Sequence, residues 1–269
     1  MKSDQAAIMA SLRRHLTPFV ERAYAPYSQK KQAVILQLSD GSWVAGSRVE
    51  NASYSLVIPA AINAFSTAVA MGRKDVVAMV ASYPIEREEM LYLERVMGLS
   101  VSLIYEDVLL VGTVRQLLKP TEPLIPYYPA NIQRREDGLR SAGFAAQQAF
   151  IPESDFPVGC VVLSKEGYMW PGCNVESSDW QRVICAERNA LGTAVTYGFK
   201  NWSVMYLSCP KDPSGTPCGA CRQVMIEFAP DMELVMDRGL EAPFVIKVRD
   251  LLPFSFTGDT LKNEGTSFD

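Results

Sequence analysis

The sequence predicts an α/β fold built twice in tandem, each copy a sheet covered by helices. Three observations carry that expectation. The chain matches itself at an offset of 126 positions, which lays Cys185 on Pro59: VIPAAINAFSTAVAMG (57–72) and VICAERNALGTAVTYG (183–198) are identical at nine of sixteen places. Strand-like runs alternate with runs of helical period along both halves. At 269 residues, 48% hydrophobic and 21% charged, the chain has the make-up of a globular protein of one or two domains.

The elements follow in order. Ile8, Met9, Leu12, Leu16, Phe19, Val20 and Ala23 recur at three- and four-residue spacing, the apolar stripe of an amphipathic helix. Runs rich in β-branched residues predict strands at Ala33–Leu38, Val76–Ala81, Val101–Tyr105 and Val108–Val114. Matching runs in the second half are Gly159–Leu163, Val204–Leu207, Glu233–Met236 and Phe244–Val248. Helices are expected between them, at about 57–72, 86–97, 185–198 and 218–228. Gly41, Gly46 and Glu50 keep the offset, falling on Gly167, Gly172 and Glu176. Farther on it widens to 134, with Val114–Leu118 on Val248–Leu252, so the second half carries about eight extra residues around PSGTPCGAC. The stretch KPTEPLIPYYPANIQ (119–133) holds four prolines in fifteen residues, which discourages helix and central strand alike. The expected organisation is therefore a first domain over 1–120, a Pro-rich linker over 121–138 and a second domain over 139–269.

A net charge of −4 gives no long-range attraction to nucleic acid or to an anionic membrane surface. No apolar run reaches the roughly 18 residues of a membrane span, and Met1-Lys-Ser-Asp-Gln5 lacks the apolar core of a secretory signal, so a cytoplasmic location is expected. All six cysteines lie in the second half, a bias that in a reducing compartment favours metal or catalytic use over disulfides. His15 is the only histidine, which excludes zinc sites built on two or three histidines.

Cys185, Cys218 and Cys221 are the candidate ligands. A Cys-x-x-Cys opening one helix and a third thiolate opening another give three ligands and leave one tetrahedral position of a zinc ion for water. Helix N-termini favour the thiolate form. Glu187, two residues beyond Cys185, falls beside such a metal without ligating it, placed to take a proton from the bound water and pass it on. Three thiolates leave zinc at a net −1, which Arg188 beside Cys185, and Arg222 beside Cys221, can offset from outside the ligand set.

Cys185-Ala-Glu-Arg188 with Pro217-Cys-Gly-Ala-Cys-Arg-Gln223 resembles the zinc-dependent cytidine and deoxycytidine deaminases. DFPVGC (155–160), GCNVES (172–177) and LLPFSF (251–256) extend the resemblance over nearly all of residues 139–258, whereas the first half matches in outline only. The resemblance implies two tandem deaminase-like domains, each a mixed β-sheet sandwiched by helices in three α/β/α layers, the first degenerate and the second catalytic. It implies that Cys185, Cys218 and Cys221 bind Zn²⁺, that Glu187 shuttles the proton, that Asn174 and Glu176 take the sugar hydroxyl, that Phe156 packs on the pyrimidine and that the N–H of Ala186 faces the base carbonyl. The implied reaction is hydrolytic deamination of cytidine and deoxycytidine to uridine and deoxyuridine with release of ammonia, a step of pyrimidine salvage. Glu176 near the sugar favours a nucleoside over a nucleotide, because it would repel a phosphate.

The first half reads Pro59, Ala61 and Ile62 where the second has Cys185, Glu187 and Arg188, so it cannot hold this metal. It nevertheless keeps APYS (25–28) and ENASY (50–54), which are nearer the family pattern than Pro152-Glu-Ser154 and Ser177-Ser-Asp-Trp180 of the catalytic half. Since single-domain members assemble as tetramers, the duplicated chain is expected to form a homodimer that imitates four domains, with Tyr54 or Trp180 reaching a neighbouring site. Alternatives are an atypical cytosine compound or polynucleotide cytidine as substrate, or a zinc-stabilised binding module without turnover. Cys160, Cys173 and Cys209 read as small buried hydrophobes.

Overall fold

The computed structural model describes residues 2–258 and Leu261. It holds two β-sheets whose inner faces share one layer of helices, with one further helix on the outside of each. In the first half the order is α1 (Lys2–Arg22), β1 (Ala33–Leu38), β2 (Trp43–Ser47), α2 (Ala60–Ala70), β3 (Val76–Ala81), α3 (Arg87–Met97), β4 (Val101–Tyr105) and β5 (Val108–Val111). After the two-residue strand β6 (Tyr128–Pro129) come α4 (Arg135–Ala146), β7 (Gly159–Ser164), β8 (Tyr168–Cys173), α5 (Ala186–Thr196), β9 (Trp202–Ser208), α6 (Gly219–Phe228), β10 (Glu233–Met236) and β11 (Phe244–Lys247).

Side-chain alternation along the strands builds the layers. Ala33 and Ile35 of β1 face α1 in a cluster with Leu12, Leu16 and Phe19, while Val34, Leu36 and Leu38 face α2 and α3. In the second half Val204 and Tyr206 of β9 turn to Leu139 and Ala142 of α4, and Met205 and Leu207 turn to the inner layer. That inner cluster runs unbroken from Val34 and Phe65 through Ala190 and Val224 to Leu234, so the two halves have a common core. Each half is a three-layer α/β/α unit, and the inner helices serve both.

The strand orders are β2-β1-β3-β5-β4 and β11-β10-β9-β7-β8-β6. The halves differ at the far end. In the second, β10 lies beside β9 in parallel and β11 is the edge. In the first, β4 and β5 form a hairpin and the later strand takes the inner place beside β3. Burial explains the exchange: β5, Val108-Leu-Leu-Val111, is buried throughout, whereas Leu103, Ile104 and Tyr105 of β4 stay exposed. In both halves the strand that can bury both faces lies inside.

The strands of the sheet centres and the four inner helices lie within a few residues of where the hydrophobic pattern predicts them, whereas β2, β8 and α4 carry no such pattern. Gly46 in β2, Pro171 and Gly172 in β8 and Gly138 and Gly143 in α4 give these elements the composition of loops. The Pro-rich crossing ends where α4 begins at Arg135, and it is pinned to both sheets on the way. The N–H of Leu124 donates to the Trp43 carbonyl at 2.7 Å, Tyr128–Pro129 pairs with β8, and the Tyr127 ring lies 4.4 Å from that of Trp170.

The contact between the halves has approximate two-fold symmetry about the crossing of α2 and α5. Thr67 and Thr193, equivalent positions, join hydroxyls at 2.7 Å. Asn63 Nδ2 donates to the carbonyl of Gly192 at 3.2 Å, and Asn189 Nδ2 to that of Ser66 at 3.1 Å. Both amide nitrogens are buried and hydrogen-bonded, which fixes the register of one helix on the other. No helix among the described residues is long and apolar enough to cross a membrane.

Candidate metal and active site

Three sulfurs meet where two helices begin. Cys185 is the N-cap of α5 and Cys218 that of α6, with Cys221 in the first turn of the same helix. Neither N-cap side chain bonds its own helix, which leaves both sulfurs free to turn to a common point. Cys185 Sγ is 3.8 Å from Cys218 Sγ, Cys218 Sγ is 3.5 Å from Cys221 Sγ, and all three lie within 4.8 Å of one another. Zinc–sulfur bonds of 2.3 Å at tetrahedral angles set sulfurs about 3.8 Å apart, so this triangle fits one zinc ion. None of the six cysteines is in a disulfide. Cys218 is the exposed member and Cys221 the buried one, and the mutual bonding of the sulfurs pulls the Cys218 thiol down while pushing Cys185 and Cys221 up.

Glu187, in the first turn of α5, is 3% exposed. Burial pushes its carboxyl up to about 7, against the nearby Arg188 charge. A carboxyl near that value exchanges protons readily at neutral pH.

α5 comes close to β8 because of Gly172. A Cβ there would stand 2.3 Å from the Ala186 carbonyl oxygen and 2.6 Å from the Ala190 nitrogen. Under the same turn, the Cys160 thiol donates to the Ala186 carbonyl at 3.1 Å. Burial raises Cys160 well above the ordinary thiol range, which keeps it a neutral donor. Cys173 is buried on β8, and Cys209 is half-buried.

The segment 150–158 leads into β7, the strand that carries Cys160. Glu176 accepts the N–H groups of Glu153 at 3.0 Å and Ser154 at 3.1 Å, and the Ser154 hydroxyl. Asn174 accepts the Val158 N–H through Oδ1 and donates to the Phe156 carbonyl, both at 2.9 Å. The first half repeats this without any metal: Glu50 accepts the N–H groups of Tyr27 and Ser28 and the Ser28 hydroxyl. Anchoring the turn is therefore one task of this glutamate in both halves, beyond the sugar contact that the resemblance implies for Glu176. The anchored turn holds Asp155 at φ 53° and leaves Phe156 36% exposed.

Arg188 crosses to the first half, where Nη2 donates to the Leu56 carbonyl at 3.1 Å. Arg222 clamps the approach to Cys218, donating to the Pro217 carbonyl at 2.8 Å and the Thr216 hydroxyl at 3.2 Å. Tyr54 is 89% exposed. Trp180 opens a short 3-10 turn, Trp180–Arg182, and its side chain lies outside the described residues.

Comparison with known proteins gives a family match in each half. The zinc-binding region of the cytidine and deoxycytidylate deaminases matches residues 132–236 and again residues 2–92. A cytidine deaminase of Sporosarcina psychrophila is 36% identical over 118 residues, 44% of this chain and 87% of that protein. A probable cytidine deaminase of Dictyostelium discoideum is 36% identical over 132 residues, 49% of this chain and 89% of that one. The crystal structure of cytidine deaminase from Burkholderia pseudomallei, 33% identical, aligns over 46% of this chain and all of that one with a TM-score of 0.44. The chain belongs to the zinc-binding cytidine and deoxycytidylate deaminase family and carries two of its domains in tandem.

Proposed function

We propose that the second half hydrolyses cytidine and deoxycytidine to uridine and deoxyuridine with release of ammonia, and that the first half is its non-catalytic support. The observation that carries this is the triangle of free sulfurs with the buried Glu187 beside it. A structural zinc site closes its coordination shell and has no use for a poised carboxyl; three sulfurs leave a position open. Zinc held by Cys185, Cys218 and Cys221 supplies Lewis-acid activation of the attacking water.

The remaining steps belong to the chain. Glu187 takes one proton of the attacking water and delivers it to N3 of the pyrimidine; it then takes the remaining proton from the new C4 hydroxyl and delivers it to the C4 amino group, which leaves as ammonia as the C4 carbonyl forms. Phe156 offers its ring to the base, and the N–H of Ala186, at a helix start where amides lack intrahelical partners, faces the base carbonyl. Asn174 and Glu176 take the sugar hydroxyl. Both Glu176 oxygens already accept bonds, but among the described residues Oε1 takes only the Ser154 hydroxyl and has a lone pair left. The Arg188 charge offsets the surplus negative charge of three thiolates.

A phosphate would meet the Glu176 carboxylate, and a polynucleotide would meet a chain of net charge −4, so a free nucleoside is the substrate. Incubating the zinc-loaded protein with cytosine nucleosides, nucleotides and oligonucleotides while following absorbance tests this. Turnover confined to nucleosides is expected, and turnover confined to nucleotides or oligonucleotides discards the assignment. Six free cysteines suit the reducing cytoplasm, where we place the protein.

Two chains form a homodimer of four domains, in which Tyr54 of one first half projects toward the catalytic site of the other chain. Its almost complete exposure on a turn between buried segments leaves the ring available. Tyr54→Ala is expected to raise KM for cytidine by roughly tenfold, the order of one lost aromatic contact. Unchanged kinetics in a folded dimer would remove Tyr54 from the site.

A further inference from the structure

The helix that carries two of the three sulfurs is held by the half that has none. Glu227 lies on α6 six residues beyond Cys221, about 9 Å farther along the axis at 1.5 Å per residue. Its carboxylate accepts the Tyr27 hydroxyl at 2.7 Å, the Tyr24 hydroxyl at 3.4 Å and the Ala52 N–H at 2.7 Å. All three donors belong to the first half. The other sulfur and the proton carrier sit on α5, which docks on the same half through Asn189 and Arg188. The site is thus divided between two helices, each fixed separately to the metal-free half.

The equivalent contact on the other side of the approximate two-fold has the opposite polarity. α3 and α6 begin 132 positions apart, at Arg87 and Gly219, and that offset lays Arg95 on Glu227. Arg95 Nη1 donates to Asp179 at 3.3 Å, and Asp179 also accepts Arg182 Nε at 3.1 Å. Asp179 stands where the first half has Ser53, and Glu153 where it has Tyr27. One helix brings a carboxylate to a turn of donors, and the other brings a guanidinium to an acidic turn. Exchanging the halves would set Glu227 against Asp179 and Glu153, carboxylate facing carboxylate, so each helix fits only the opposite half. Of the two departures of the catalytic half from the family pattern, the one at 177–180 supplies, through Asp179, the partner of Arg95.

We propose that Glu227 is a positioning residue for deamination: with Tyr27 and Ala52 it seats α6 on the metal-free half and so sets where Cys218 and Cys221 stand relative to Cys185 and Glu187. Catalytic geometry is sensitive at this scale, since a misplacement of about 1 Å costs roughly 10²-fold in rate. The proposal rests on the deaminase reading above.

The test compares kcat and KM for cytidine, zinc per chain and Tm in wild type, Glu227→Ala, Glu227→Gln, Tyr27→Phe and the Glu227→Ala/Tyr27→Phe double variant. Glu227→Ala is expected to lower kcat about tenfold or more while zinc content holds and KM changes less than about twofold. Tyr27→Phe should lower kcat by a smaller factor and add nothing on top of Glu227→Ala, and Glu227→Gln, which keeps an oxygen for the Tyr27 hydroxyl, should recover part of the loss. Wild-type kcat in zinc-loaded Glu227→Ala, or losses that multiply in the double variant, overturns the proposal. If Glu227→Ala does not fold, Tyr27→Phe decides alone: it removes one oxygen from the half without ligands, and an unchanged kcat overturns the assignment. A zinc-loaded wild type that turns over no nucleoside instead overturns the deaminase reading itself, and this proposal with it.

Discussion

Glu187→Gln is expected to keep the chain folded and zinc-loaded and to lower kcat for cytidine by about 10²–10⁴-fold, the range for a positioned general acid–base group. The substitution preserves size and hydrogen-bonding reach but removes the proton carrier. Burial makes the effect specific. Glu187 is 3% exposed, so bulk water has no easy path to take over the transfer, and the neutral amide relieves the burial penalty that lifts the carboxyl toward 7. Tm should therefore stay level or rise slightly while turnover collapses. Measuring kcat, zinc content and Tm on one preparation separates this from a folding defect. A variant that loses its zinc would make Glu187 a ligand instead of a proton carrier.

The second large effect comes from a residue with no side chain. Gly172→Ala places a methyl 2.3 Å from the Ala186 carbonyl oxygen, 2.6 Å from the Ala190 nitrogen and 2.8 Å from the Ala190 Cβ. These are backbone and short side-chain atoms that cannot rotate away, so α5 must lift off β8, at a cost of about 1–3 kcal/mol. Lifting α5 carries Cys185, Ala186 and Glu187 with it, and kcat should fall by roughly 10²-fold. Gly46→Ala is the matched control. A Cβ at Gly46 meets the Ala64 nitrogen at 2.2 Å and the Ala60 carbonyl oxygen at 2.5 Å, so the displaced helix is α2, which carries no ligand. Comparable loss of Tm in the two variants, with the far larger loss of turnover in Gly172→Ala, is the expected result. Equal losses of turnover would mean that lifting α5 from β8 costs the site no more than the disturbance α2 passes to it through Thr67 and Asn63.

Much of this was legible in the sequence because it depends on local pattern. The repeat at 126 positions, the helical spacing of the inner helices and the Cys-x-x-Cys with an upstream Cys-Ala-Glu are read along one strand of text. Other features need a second segment to have meaning. Glu176 and Glu50 share a spacing in the sequence, but only their common bonds to the turns at 153–154 and 27–28 reveal an anchoring task that needs no substrate. Arg188 reads as a neighbour of Cys185, yet its guanidinium bonds the Leu56 carbonyl, 132 residues earlier. Pro171 and Gly172 disguised β8 as a loop, although glycine is there to admit a helix. The exchange of β4 and β5 depends on which strand can bury both faces, a comparison between segments that neither one carries alone. Retention of APYS and ENASY in a half without metal was visible at once. A partner for it was not, because the Tyr27 hydroxyl bonds Glu227, 200 residues later in the chain.

Zinc content of the intact purified protein, measured by elemental analysis alongside free-thiol titration, tests the central claim most directly. One zinc per chain, lost together with cytidine turnover when Cys218 is replaced by serine, is the predicted result. A metal-free protein that still releases ammonia from cytidine, or a chain whose zinc survives Cys218→Ser, contradicts it.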